Sequence, residues 1–256
     1  MTETAIQFEH VRKSFGNEVV IPDLNFKINQ GEFITILGSS GCGKTTTLKM
    51  VNGLLKPSAG KIMVNSQQIS ELDLVRLRRH TGCVVQQIGL FPHMTVAENI
   101  AVVPRMLQWD QEAIKQRVDE LLTLVQLTPA EYRDRYPKQL SGGQQQRVGV
   151  ARALAANPPT VLFDEPFGAL DALTREKLQE EIKQIHTALQ GKTFLFVTHD
   201  INEALFLGQR VMVMKEGKIE QFATPTEIVS HPATNFVREL LGTVQQSQAL
   251  WRDFND

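Results

Sequence analysis

The 256-residue sequence predicts an α/β fold on a mainly parallel sheet. Three observations carry that prediction. Short charge-free runs, Phe33 to Leu37, Val161 to Phe163 and Phe194 to Val197, have the length and composition of buried strands. Between the last two, Leu178, Ile182, Ile185 and Leu189 recur at helical spacing. The first run ends in a glycine-rich turn that leads straight into helix-forming residues.

The remaining elements follow in chain order. Leu24, Phe26 and Ile28 alternate with polar residues, as on a half-buried strand. Thr45 to Leu54 reads as a helix, Lys61 to Val64 as a strand and Cys83 to Val85 as another short one. From about 90 to 145 the pattern turns helical. Ile114, Val118, Leu121, Leu122 and Val125 share one helix face, and Pro104 and Pro129 punctuate the region. A helix is expected from Gln145 to Ala156. Val211 to Met214 reads as a strand, and Glu216-Gly217 turns it into Lys218 to Phe222.

Composition narrows the function classes. Hydrophobic residues at 42% permit a packed core, and a formal net charge of −1 argues against a dedicated nucleic-acid binder. The local cluster Arg76, Arg78, Arg79, His80 reads as a solvated helix face. Cys42 and Cys83 fit neither a metal site nor a disulfide framework. The N-terminal MTETAIQFEH has no apolar core of a signal peptide, and no run approaches the roughly 20 apolar residues that span a bilayer.

The sharpest motif is Gly38-Ser39-Ser40-Gly41-Cys42-Gly43-Lys44-Thr45, which fits G-x-x-x-x-G-K-[ST] between a predicted strand and a predicted helix. Glycines let the backbone curl until several N–H groups point at phosphate oxygens, and the helix start adds its positive dipole end. Lys44 is placed to reach the β- and γ-phosphates and Thr45 to offer a hydroxyl to Mg²⁺. Cys42, inside the loop, is expected to block the site when alkylated. Further along, an apolar strand ends in Asp164-Glu165. Two carboxylates there are costly without a cationic partner, and Mg²⁺ carried by a nucleotide is one. Asp164 then holds the metal through water, and Glu165 is the general base. By itself such a pair also suits a helix cap or turn.

Leu140-Ser141-Gly142-Gly143-Gln144 precedes a helix. Ser141 and Gln144 fit an ordinary S-x-x-Q capping box. The two glycines add nothing to a cap and cost about 1 kcal/mol each in helix propensity. Bare N–H groups suit a docking phosphate.

These residues resemble the ABC ATPase family, whose signature is LSGGQ. The other markers stand in order across residues 5 to 241. The resemblance implies that Phe15 stacks on adenine, that Thr46 joins the phosphate loop in binding the cofactor, and that Gln86 touches Mg²⁺ and links to a transmembrane partner. Gly168-Ala169-Leu170-Asp171 resembles the D-loop, with Gly168 replacing a common serine. His199 is the expected switch histidine beside the γ-phosphate. The implied fold is a P-loop NTPase of ABC type: a RecA-like mixed or parallel sheet core with an N-terminal antiparallel β subdomain and an inserted α-helical subdomain. On that reading residues 1–242 are one ATPase domain, with 1–89 and 146–242 as nucleotide-binding core, about 90–145 as helical subdomain and 243–256 as a short tail. Glu165 and His199 are the catalytic pair. Two copies pair head to tail, so that Ser141, Gly142, Gly143, Gln144 and Asp171 of one reach the nucleotide of the other. ATP and Mg²⁺ are the implied cofactors, and Thr45, Gln86 and Asp164 the metal-facing residues.

A closer resemblance, to ATPases of glycine betaine, choline and carnitine importers, rests on Gln86 to His93, Asn99 to Pro104 with Trp109, Arg133 to Pro137, and Gly143 to Leu154. It implies transmembrane permease subunits, an extracytoplasmic solute-binding protein acting indirectly, and a peripheral place on the cytoplasmic face of the inner membrane. Many such ATPases continue into paired CBS domains, and none is expected here. Another small polar solute, an exporter motor, a non-transport ABC protein and a non-hydrolysing regulatory module are the competing readings.

Overall fold

The computed structural model describes residues 3–86, 89–168 and 170–242. The chain divides into two compact units, the first up to Glu71 and again from Leu195, the second Leu72–Phe194.

In the first unit β1 (Thr4–Phe15) and β2 (Glu18–Asn29) form an antiparallel pair. Ile21, Leu24, Phe26 and Ile28 point inward, the alternation the sequence predicts. Phe8 and Phe26 are cross-strand partners whose rings stack with centroids 4.4 Å apart. β3 (Phe33–Gly38) is buried throughout and feeds α1 (Lys44–Val51). That helix begins one residue earlier and stops three earlier than expected, because Asn52 and Gly53 turn the chain away. β4 (Ala59–Val64) pairs antiparallel with β1, and the two-residue β5 (Gln67–Gln68) continues the sheet order β2-β1-β4-β5.

The second unit opens with α2 (Leu74–Arg79). Its arginines and His80 are solvated, as read from sequence. β6 (Thr81–Val84) follows, then α3 (Val96–Met106), α4 (Gln111–Leu124) and the short α5 (Pro129–Tyr132). The α4 stripe Ile114, Val118, Leu121 and Leu122 is buried. α6 (Gly142–Leu154) and β7 (Thr160–Asp164) come next. β7 lies parallel to β6, with Thr81 opposite Thr160 and Val84 opposite Phe163. α7 (Ala172–Ala188) leads to β8 (Thr193–Thr198), within which the division between units falls. The Arg147 guanidinium ties the helices together: it pairs with the buried Glu181 carboxylate of α7 and donates to the carbonyls of Val125 and Gln126 after α4.

Back in the first unit come α8 (Ile201–Leu207), β9 (Arg210–Lys215), β10 (Lys218–Ala223) and α9 (Pro225–Ser230). The strand order β10-β9-β3-β8 places β3 in the interior, parallel to β9. Glu216 and Gly217, at φ 48° and 75°, make the expected tight turn into antiparallel β10. Leu37, Val211 and Val213 pack with Ile201, Ala204, Ile228 and Val237 in the core beneath α8 and α9. Among the described residues no helix is long and apolar enough to cross a membrane. The fold is the expected mixed α/β type with an antiparallel N-terminal sheet, and the helical elements fall where the pattern between 90 and 145 puts them.

Candidate functional site

In the first unit β3 delivers the glycine loop. A Cβ at Gly38 would lie 2.3 Å from the Met214 carbonyl oxygen and 2.6 Å from Cys42 Sγ, so only glycine fits. Gly43 sits at φ 101° as N-cap of α1 and supplies no side-chain cap. The N-cap itself thus offers no side-chain acceptor at the start of α1, and a helix start is a favourable place for an anion. Lys44 is buried, at 5% exposure. Its Nζ donates to the carbonyl oxygens of Gly38 at 2.7 Å and Ser39 at 3.0 Å. The cation is thus held against the carbonyl oxygens at the start of the loop. Ser39, Ser40 and Gly41 are exposed, and Thr45 and Thr46 half-buried.

Cys42 is buried within the loop. Its thiol is buried against Gly38, and burial raises its pKa above the ordinary thiol value despite the nearby Lys44 charge. A neutral, covered sulfur is a poor nucleophile.

Phe15 closes β1 at 46% exposure, with Lys13 Nζ 4.8 Å from its ring centroid. An exposed ring at a strand end is available for stacking. His199 is exposed one residue beyond β8 and lies between two locked neighbours. Thr198 Oγ1 donates to buried Glu203 at 2.6 Å, and Asp200 caps α8 through the N–H groups of Asn202 and Glu203.

In the second unit β7 carries four buried residues to the half-buried Asp164 and Glu165. Glu165 has φ 45°, a left-handed conformation that costs a Cβ-bearing residue about 1 kcal/mol or more. Gln86 is exposed just after β6. A Cβ on Gly168 would be 3.8 Å from Gln86 Nε2, so a serine there would have room. Gln87, Ile88 and Ala169, quoted with these motifs, lie outside the described residues, as does the tail 243–256.

The Ser141–Gln144 turn makes both halves of a capping box. Ser141 Oγ accepts from the Gln144 N–H at 3.3 Å, and Gln144 Oε1 accepts from the Ser141 N–H at 2.9 Å. The helix starts at Gly142, not Gln145, since the glycines are its first turn. Gly143 also has a packing reason that sequence reasoning missed: its Cβ would lie 2.7 Å from Thr174 Cγ2 on α7. Gly142 has no such neighbour, the nearest contact being Leu170 at 3.5 Å. Asp171 caps α7, accepting from the Thr174 N–H at 3.0 Å, and this hydrogen bond lowers its carboxyl pKa.

A groove of about 340 Å³ in the second unit was not foreseen as a site. Phe91, Val102, Val103 and Ala153 line it together with Arg78 and Arg152. Buried Asn99 fixes its rim, bonding both N–H and carbonyl of Phe91 and the carbonyls of Met94 and Thr95. Arg152 donates to the Gly89 carbonyl at 2.7 Å. The signal was an arginine inside the otherwise apolar stretch Val148 to Leu154. At the same groove Cys83, pushed up to about 11 by burial and by Asp164, is a neutral wall.

The family model described as ABC transporter matches residues 21–168. The carnitine transport ATP-binding protein OpuCA of Listeria monocytogenes is 53% identical over 93% of this chain and 59% of its own length. The choline transport ATP-binding protein OpuBA of Bacillus subtilis is 53% identical over 93% of this chain and 62% of its own. The chain thus spans about three fifths of these curated relatives. Among solved structures, the dimeric post-hydrolysis ATP-binding cassette MJ0796 bound to ADP and Pi aligns with a TM-score of 0.75 at 37% identity. The alignment covers 86% of this chain and 98% of that one.

Proposed function

Since this chain belongs to the ABC transporter family, we propose that it is the ATP-hydrolysing subunit of an importer for a glycine betaine, choline or carnitine type of osmoprotectant. The observation that carries the ATP reading is the loop at Gly38–Thr45, where a left-handed glycine starts the helix and the loop's own carbonyls hold the Lys44 ammonium. The loop with Thr46 cradles the phosphates, Lys44 neutralises their charge, and Phe15 stacks on the base. Thr45, Asp164 and Gln86 offer the hard oxygen donors Mg²⁺ prefers, Asp164 through water. When bound, the ion supplies charge neutralisation at the phosphates.

Glu165 takes the proton from the attacking water, and His199 holds the γ-phosphate side of the site. A second copy, head to tail, contributes Ser141, Gly142, Gly143, Gln144 and Asp171. Residues 1–242 act as one ATPase domain, in which 1–89 and 146–242 hold nucleotide and the 90–145 helices face the membrane subunits. The groove at Phe91 and Arg152 supports docking of a permease segment: it has an apolar floor and cationic walls. The subunit sits on the cytoplasmic face of the membrane, bound to permease partners and served indirectly by an extracytoplasmic solute-binding protein.

The solute rests on the relatives' carnitine and choline transport. The test is uptake of labelled glycine betaine, choline and carnitine by cells stripped of their own osmoprotectant systems and supplied with this chain and its operon partners. Uptake of at least one in wild type, reduced about 100-fold or more by Glu165→Gln, supports the reading. Intact ATPase activity with no uptake of any of the three removes the solute assignment and leaves the motor.

A further inference from the structure

His199 is an exposed residue carried between two fixed ones, and one buried carboxylate bonds to both of those neighbours. Thr198 ends β8 and is buried, Asp200 is the N-cap of α8, and Glu203 is the third residue of that helix, buried at 6% exposure. A carboxylate at this third position ordinarily reaches back to the N–H of the cap. Here the Asp200 N–H donates to Thr198 Oγ1 at 3.0 Å, and the Thr198 hydroxyl donates to Glu203 Oε2 at 2.6 Å. The hydroxyl accepts and donates at once, and its bond to Glu203 has the length of a charge-assisted one. Asp200 Oδ1 accepts in turn from the Glu203 N–H at 3.3 Å. These bonds close a ring from Thr198 to Glu203 to Asp200 and back, and the ring spans residue 199 without drawing on its side chain.

Capping α8 needs only Asp200, whose carboxylate also takes the Asn202 N–H at 2.8 Å. The Thr198–Glu203 bond adds nothing to that cap. It ties together the two ends of the strand-to-helix turn on which the imidazole is carried. α8 has a separate anchor on β3, where Thr35 Oγ1 donates to the Ala204 carbonyl at 2.9 Å, also in buried surroundings. Two buried hydroxyls thus hold the same helix, and only one of them brackets His199. A displacement of about 1 Å at a reacting group costs up to about 100-fold in rate.

We infer that Glu203, acting through Thr198, is a positioning residue for ATP hydrolysis: it fixes the turn that holds the His199 imidazole toward the γ-phosphate, a role that rests on the part given to His199 above. The test is steady-state ATP hydrolysis by the full chain, with ATP affinity measured by calorimetry. T198V is expected to lower kcat about tenfold and to leave KM and ATP affinity within about twofold. T198S keeps the hydroxyl and is expected to recover kcat to within about threefold of wild type. T198V/E203L replaces both partners by apolar groups, so that neither is left buried and unpaired, and is expected to show the same loss of about tenfold. T35V removes the other hydroxyl on α8 and is expected to keep kcat within about twofold. T198V/E203L at wild-type kcat, T198S as slow as T198V, a T35V loss equal to that of T198V, or a loss confined to ATP affinity would each overturn the inference. H199A separates the two levels. Wild-type kcat in H199A removes His199 from the reaction and this inference with it, while a slow H199A beside wild-type kcat in T198V overturns the inference alone.

Discussion

Two helix starts in this molecule carry glycines where phosphate is expected, and they are built differently. At Gly43 the N-cap is a left-handed glycine with no side-chain acceptor, and a lysine is held against the carbonyl oxygens of the loop. At Ser141 the helix caps itself, hydroxyl to N–H and amide back to N–H, with no cation in the turn. The first is preorganised for an anion by one chain alone. The second has satisfied part of its own hydrogen bonding, so any phosphate it meets must be positioned by something else. In the proposed mechanism that is the loop of a second copy.

The largest expected effect separates the two on nucleotide affinity. Lys44→Ala is expected to weaken ATP binding about 100-fold, through loss of roughly 3 kcal/mol of charge-assisted contact. Ser141→Ala is expected to leave the affinity of a single copy within about twofold. Equal losses by calorimetry would erase the contrast. Stability is next. Gly43→Ala forces a side chain into φ 101° and to 3.2 Å from Ile21, costing about 1–3 kcal/mol in denaturant unfolding. Gly143→Ala is expected to cost about 1–2 kcal/mol through its clash with Thr174, whereas Gly142→Ala gains up to about 1 kcal/mol of helix propensity. Similar costs at 142 and 143 would show that packing against α7 is not what Gly143 serves. Ser141→Ala is expected to lose about 1 kcal/mol, the value of its cap.

The smallest effect concerns Cys42. Because burial raises its pKa, the reactive thiolate is scarce at neutral pH and grows only as pH climbs past the ordinary thiol value. Labelling of native protein at pH 7 is therefore expected to be slow with or without ATP. Fast, ATP-protected labelling would place the sulfur on the loop surface.

Much of this was legible in the sequence. Alternation at Leu24, Phe26 and Ile28 and the charge-free run at Phe33 to Leu37 report burial directly, because strand faces repeat every two residues and buried strands exclude charge. Glycines at 38 and 43 were legible as a loop because a lysine and a threonine follow them. What stayed hidden depended on contacts between distant residues. Ser141 and Gln144 have one spelling for a cap and for a ligand site, and only the hydrogen bonds show that the cap forms. The reason for Gly143 lies 31 residues away at Thr174, and the cover of Cys42 lies partly at Gly38. In the sequence Arg152 is spelled like any helical cation; its carbonyl partner at Gly89 is what puts it on a groove wall. The left-handed backbone of Glu165 left no mark in the residue pattern.

The most direct test of the account is the molar mass of the Glu165→Gln protein by light scattering, with and without MgATP. An increase from one copy to two on adding nucleotide is predicted, since the open loop of one copy then holds the phosphate that the self-capped helix of the other lacks the means to hold alone. A mass that stays at one copy while calorimetry shows the site saturated with ATP would contradict it.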